Sequence, residues 1–319
     1  MNLTFFFCGH IMDLELNFLI IPKLIILPNI SFSYKLILPI NYLRRSMSLF
    51  ITSLNSGSNG NCYYIGNRTE AVLIDAGISC RETERRMKKL GLTMNMVKAI
   101  FVSHEHSDHI TGVCGLSKKY QLPVYITRST LRSSGLPVQQ KFVRSFTAKQ
   151  PVSIGSLSVI PFVKFHDASD PHSFMVSCNK INIGIFTDIG LPCKQVISYF
   201  KKCHAAFLEA NYCEDMLMNG RYPKFLKNRI SSDQGHLSNS QALNLFLEHK
   251  GKQLSHLILS HLSKNNNRPE LVERMFNKQA GNVKIVVASR YSETPIFYID
   301  SSPAGKRMNQ PSQLQLSFL

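Results

Sequence analysis

Between residues 47 and 300, short apolar runs alternate with amphipathic stretches, a pattern that predicts strands and helices in turn. Residues 49–54, 62–65 and 71–74 read as strands, the first two joined by Asn55-Ser56-Gly57-Ser58-Asn59-Gly60-Asn61, a string of turn formers. Residues 80–90 carry charge on every turn and stop at Gly91, as a surface helix does. A buried strand follows at 99–103, then a helix at 112–120 and an extended segment at 124–127. The middle of the chain, 150–187, is nearly all strand, with runs at 157–163, 173–178 and 181–186. Beyond it, helices at 192–201, 238–249 and 268–278 alternate with strands at 205–208, 254–259, 284–287 and 296–299. Strands outnumber helices, and both halves hold β-then-α stretches. Pattern alone predicts a mixed α/β (α+β) chain, and two packed sheets with helices outside would satisfy it.

The flanks differ from this body. Residues 1–46 are rich in Leu, Ile and Phe, but Pro22, Pro28 and Pro39 break the run before the ~20 apolar residues that a membrane helix needs. Asp13 and Glu15 interrupt it further, and no basic start leads into a short apolar core with a small-residue cleavage site. Neither a membrane partner nor a signal is expected. Met47 opens the strand pattern of 48–54, so a single folded domain is expected to span 47–300, with 1–46 a non-native or unstructured extension. Residues 301–319, with their Ser, Gln, Asn and Pro, read as a frayed tail.

Composition adds a partner and a compartment. Apolar residues make up 44% and charged residues 18%, which excludes a disordered chain. The net charge of +17 favours an anionic partner such as nucleic acid, because each phosphate neutralised releases counterions. Residues 1–46 hold only four basic and two acidic residues, so the excess belongs to the body. The eight cysteines form no C-x-x-C and several sit in apolar runs, which points to a reducing, cytoplasmic setting.

The chemistry concentrates in Ser103-His104-Glu105-His106-Ser107-Asp108-His109, directly after an apolar strand. On an extended or turning segment His104 and His106 point the same way and can share one ion, while Asp108 and His109 come round to face a second. Neutral imidazole and carboxylate suit Zn²⁺ at ~2.0–2.2 Å, and Mn²⁺ is the alternative. Two such ions ~3.5–4 Å apart can bridge a hydroxide.

H-x-H-x-D-H after an apolar strand resembles the signature of metallo-β-lactamase-fold hydrolases, and the order of later residues is similar from about 47 to 300. The resemblance implies a four-layer αββα sandwich and two divalent ions held by His104, His106, Asp108, His109, His166, Asp188 and His261. His166, Asp188 and His261 each follow an apolar run; Asp188, in Thr187-Asp188-Ile189-Gly190, matches the bridging carboxylate. Asp75, at the end of 71–74, matches a residue that supports the metal loop by hydrogen bonding. His236, in Gly235-His236-Leu237-Ser238-Asn239, is similar to a proton-transfer histidine of the tRNA 3′-processing branch, and is expected with Asp108 to be catalytic. An ordinary residue beside the Ser238 helix cap is the other reading of His236.

Within the superfamily the strings 56–62, 103–109, 166–168, 235–239 and 260–267 resemble the bacterial YycJ/WalJ-like family. That resemblance implies a cytoplasmic phosphodiesterase, a 5′-to-3′ exonuclease on DNA acting through a metal-bridged hydroxide. Small cyclic-phosphate hydrolysis and a non-hydrolytic regulatory role are the alternatives. The charge speaks against the first and the complete ligand set against the second. Ser56, Ser58, Asn59 and Asn61 are expected to meet substrate phosphate, unless that loop is only a tight turn. Arg229 is expected to do so from 221–229, where aromatics interleave with bases, as on a strand-binding surface or a solvated helix face.

Overall fold

Every residue of the strand Leu49–Asn55 is buried, and a strand without an outer face needs a packed layer on both sides. The computed structural model, which describes residues 3–7, 10–14 and 48–300, supplies those layers. Strands β1 (Leu49–Asn55), β2 (Cys62–Gly66), β3 (Ala71–Ile74), β4 (Val97–Phe101), β5 (Val124–Tyr125) and β6 (Val143–Arg144) lie side by side in chain order. Pairing is antiparallel up to β3 and parallel beyond it.

The second sheet repeats that plan. It runs in chain order through β7 (Val152–Ile154), β8 (Leu157–Val163), β9 (His172–Cys178), β10 (Ile181–Phe186), β11 (Ala205–Glu209), β12 (His256–Ser260) and β13 (Lys284–Val287). Here the pairing turns parallel after β10. The last strand, β14 (Phe297–Ile299), returns to the first sheet against β1.

Three apolar layers hold this together. Ile51, Tyr63 and Phe101 of the first sheet pack with Phe174, Phe207 and Ile258 of the second. The outer face of the first sheet is covered by α1 (Cys80–Lys89) and α3 (Val113–Tyr120), which follows the short α2 (Ser107–Ile110). After α4 (Arg128–Ser134), the second sheet is covered by α5 (Lys194–Phe200), α8 (Asn239–His249) and α9 (Pro269–Asn277), through Phe200, Phe246 and Phe276. Fully burying one such aromatic contributes about 1.5–3 kcal/mol. The result is the αββα sandwich. Between β11 and α8 stand two further helices, α6 (Glu214–Asn219) and α7 (Lys224–Ile230).

Among the described residues no helix is long and apolar enough to cross a membrane. Residues 1–46 form a separate unit, in which Leu3–Phe7 pairs antiparallel with His10–Leu14. The rest of the expected extension and the expected tail lie outside the described residues.

Candidate metal centre

The polar residues of interest follow the carboxyl ends of strands, at one edge of the sandwich. Asp75 follows β3, the His104–His109 string follows β4, His166 follows β8, Asp188 follows β10, Glu209 ends β11 and His261 follows β12. Asp75, Asp188 and His261 sit in the left-handed region, at φ of 58°, 54° and 57°, where Asp and His are among the few side chains tolerated. That backbone turn ends each strand and swings its side chain toward the same point.

The seven nominated ligands fall within four converging groups of donors, of which His104–His106–His166 and Asp108–His109–His261 are two and Asp188 joins the others. In the first, Nε2 of His104 lies 3.0 Å from Nδ1 of His106, which lies 3.3 Å from Nε2 of His166. In the second, Oδ2 of Asp108 lies 3.3 Å from Nε2 of His261 and 3.5 Å from Nε2 of His109. Asp188 reaches both: Oδ2 is 3.1 Å from His109 Nε2, and Oδ1 is 3.8 Å from His166 Nε2.

Tautomers are set from behind. His109 donates through Nδ1 to Asp75 at 2.7 Å, and His104 through Nδ1 to Ser103 Oγ at 2.9 Å. Ser103 itself donates to both oxygens of Asp75. His166 donates through Nδ1 to the Gly235 carbonyl at 3.0 Å, and His261 through Nδ1 to Glu209 at 2.9 Å. Each of these four rings therefore turns its Nε2 inward. Ring nitrogens and carboxylate oxygens packed this closely need shared cations among them, protons or metal ions. Donors held ~2.0–2.1 Å from a tetrahedral centre stand about 3.3 Å apart, so the spacing found here fits such an ion. Oδ2 of Asp188 is buried without any hydrogen bond, as a bridging ligand's oxygen would be.

The charges agree. Asp75, Asp188 and Glu209 are buried and Asp108 is mostly so, while Lys164 is, among the described residues, the one buried ammonium against them. Lys164 donates to the Thr187 carbonyl at 2.7 Å and stands 4.0 Å from Asp188. Burial works against a charge on His261, yet Asp188, Asp108 and Glu209 push it up to about 10. His109 is raised well above the ordinary range against the same penalty, by Asp188, Asp75 and Asp108. Burial also opposes ionisation of Asp108, which His109 and His261 nevertheless hold well below the usual carboxylate range. The site demands positive charge where the second group of donors meets.

Glu209 is the functional residue that the sequence reading missed. Fully buried, it accepts from Nδ1 of both His261 and His236, at 2.9 and 2.8 Å, and from the Ile189 amide at 2.7 Å. His236 stands at the cleft surface with its side chain 19% exposed, two residues before the N-cap of α8, whose Ser238–Gln241 capping box fixes that turn.

The substrate-facing expectations for the 55–61 loop need correction at two positions. Ser56 is buried, accepts from the His261 amide at 2.7 Å and bonds Tyr63 at 2.9 Å. Asn61 is buried and donates to Asp108 Oδ2 at 3.1 Å. Both side chains brace nominated ligands, and their backbone amides are bonded to the Ser289 and Asp108 carbonyls, because the loop packs inward on the β12 end and the metal loop. Asn59 is exposed and donates to the Arg290 carbonyl. Ser58 and Arg229 do line the cleft, about 330 Å³ in volume, with Asp108, Asp188, His236 and His261. Arg229 is oriented there by Asp167.

A beta-lactamase superfamily domain matches residues 70–261, which include every nominated ligand. Over 230 residues the chain is 36% identical to the exodeoxyribonuclease YycJ of Bacillus anthracis, covering 70% of this chain and 86% of that protein. It is 29% identical over 241 residues to the exodeoxyribonuclease WalJ of Streptococcus pneumoniae, covering 73% and 89%. The metallo-beta-lactamase fold protein YhfI from Bacillus subtilis superposes with a TM-score of 0.61 at 14% identity, over 79% of this chain and 99% of that one. A diphosphatase of the PhnP family superposes at 0.56 and 17% identity, over 80% and 99%. At such identities these two structures speak for the fold alone.

Family and site together define the class: a metal-dependent hydrolase of the metallo-β-lactamase fold. The chain belongs to the beta-lactamase superfamily and, within it, to the family of the YycJ and WalJ proteins.

Proposed function

We propose that this hydrolase is a dinuclear phosphodiesterase, a 5′-to-3′ exonuclease acting on cytoplasmic DNA. The observation that carries the reading is Asp188, a buried anion standing between two sets of converging donors on the cleft floor. The relatives' activity and the chain's positive charge favour DNA as the substrate. Two divalent ions, zinc by the donor set with manganese the alternative, would supply Lewis-acid activation of the phosphodiester and of the attacking water.

The chain's own residues do the rest. His104, His106 and His166 would hold one ion, Asp108, His109 and His261 the other, with Asp188 placed to serve both. Asp108, which faces the cleft, orients the water for attack. His236 gives a proton from Nε2 to the oxygen that leaves as the P–O bond breaks, and Glu209 steadies the ring through Nδ1. Ser58 and Arg229 contact neighbouring phosphates.

The test is an assay on duplexes labelled at the 5′ or the 3′ end, with defined divalent metals added. Release of label first from the 5′ end is expected, together with a steep fall of binding as salt rises. Hydrolysis of a cyclic ribose phosphate with none of nucleic acid would replace this reading by the small-molecule one.

A further inference from the structure

The cleft is walled on one side by α7 and the turn before it. Tyr222, Leu226, Arg229 and Ile230 line it, and their spacing of four, seven and eight residues is that of one helical face. The helix buries none of its own residues, so it contributes little to the core. It is nonetheless fixed. Tyr222 accepts from Asn265 Nδ2 at 3.0 Å, Lys227 donates to the Met218 carbonyl at 2.7 Å, and Arg229 is paired with Asp167 next to the ligand His166.

Phe225 flanks that face on the same side as Arg229, one turn away, and leaves 73% of its surface in water. No acid occurs between Asp215 and Asp233, whereas Arg221, Lys224, Lys227 and Arg229 all fall there. An exposed aromatic ring in a segment free of acids, on the helix that walls the cleft and beside its Arg229, has one well-matched occupant. A base offers a π-face to the ring and its phosphates offer charge to the arginine and lysines. A base can reach the ring only when it is unpaired, because in a duplex both faces are already stacked.

We propose that Phe225 is a stacking platform for the unpaired end of a nucleic acid strand, which admits single-stranded termini to the metal centre. This rests on reading the site as one for nucleic acid. The ring takes a base beside the scissile phosphodiester while Arg229, aimed by Asp167, holds the adjoining phosphate.

The experiment uses the full chain, stripped with chelator so that nothing is cleaved. Fluorescence anisotropy follows binding of a labelled single strand of about 12 nucleotides and of a blunt duplex of the same length. Phe225→Ala should weaken single-strand binding about tenfold and change duplex binding much less, and Phe225→Trp should restore it. With metal present, Phe225→Ala should raise KM on the single strand far more than it lowers kcat. Unchanged single-strand binding in Phe225→Ala, or an equal loss on single strand and duplex, overturns the proposal. If the unaltered protein neither binds nor cleaves any oligonucleotide, the nucleic-acid reading itself falls, and this inference with it. Cleavage that persists unaltered in Phe225→Ala sinks the stacking platform alone.

Discussion

Glu209 holds His261 from behind: its Oε1 lies 2.9 Å from the histidine's Nδ1, leaving Nε2 turned toward Asp108. The same oxygen accepts from His236 at 2.8 Å, so one carboxylate orients both a nominated metal ligand and the nominated proton donor. It is held low, to about 2, because His236 and His261 overcome the penalty of its burial. Glu209→Gln keeps the shape but replaces the charge, and its carbonyl oxygen is a weaker acceptor for the two rings. Metal affinity or turnover should fall about 10- to 100-fold with the fold retained, as read by metal titration and circular dichroism. A variant with unaltered affinity and turnover would remove Glu209 from the site's machinery.

Asp188→Ala should abolish hydrolysis while leaving the fold largely intact. The carboxylate is buried beside His109, His261 and Lys164, and it serves the charge balance of the site more than the packing around it. Activity on DNA together with near-ultraviolet circular dichroism checks this. Substantial residual hydrolysis would contradict a shared role for Asp188.

Gly77 permits the close approach on which the metal loop depends. A Cβ there would overlap the Asp108 carbonyl, the group that accepts from the Asn61 amide at 2.7 Å. Gly77→Ala should therefore destabilise the protein by more than about 3 kcal/mol in denaturant unfolding, in line with overlap in a packed interior, and should weaken metal retention. A loss below about 0.5 kcal/mol would mean that the loop moves freely.

Away from the centre, Glu82 offers a pH test. Hydrogen bonds from Arg85 and Arg86 lower it to about 2 from an ordinary 4.5, and Arg86 in turn donates to the Leu54 carbonyl and to Asn55. A depressed acid contributes stability that is present above its unfolded value and is lost as pH falls through the folded one. Glu82→Gln should cost about 0.5–1 kcal/mol at pH 7, allowing for solvent screening, and the difference from the unaltered protein should narrow below about pH 4.5. A difference independent of pH would contradict the pairing.

How much of this was legible in the sequence depended on how local each signal is. The His104–His109 string announces itself because its donors are neighbours in the chain, and Asp75, Asp188 and His261 stand out as polar residues closing apolar runs. Glu209 closes Ala205-Ala206-Phe207-Leu208 in the same way, so a signal for it was available in the strand-end pattern. Lys164 gave none. It lies within an apolar run where a lysine reads as outward-facing, and its burial depends on Asp188 and Thr187 from another strand. Ser56 and Asn61 show the limit from the other side. Turn composition foretold the loop, but which way it packs was decided by His261 and Asp108, far along the chain. The α4, α6 and α7 helices are one or two turns long and mostly exposed, too short for periodicity to separate them from loops.

Whether two divalent ions sit among these seven side chains and drive hydrolysis is tested most directly by titrating chelator-stripped protein with Zn²⁺ while following digestion of end-labelled DNA. Activity should rise to a plateau at two ions per chain, and protons should be released on loading, because His109 and His261 must give theirs up. Protein that retains no ion, and digests no DNA whatever divalent metal is supplied, would contradict the two-ion proposal.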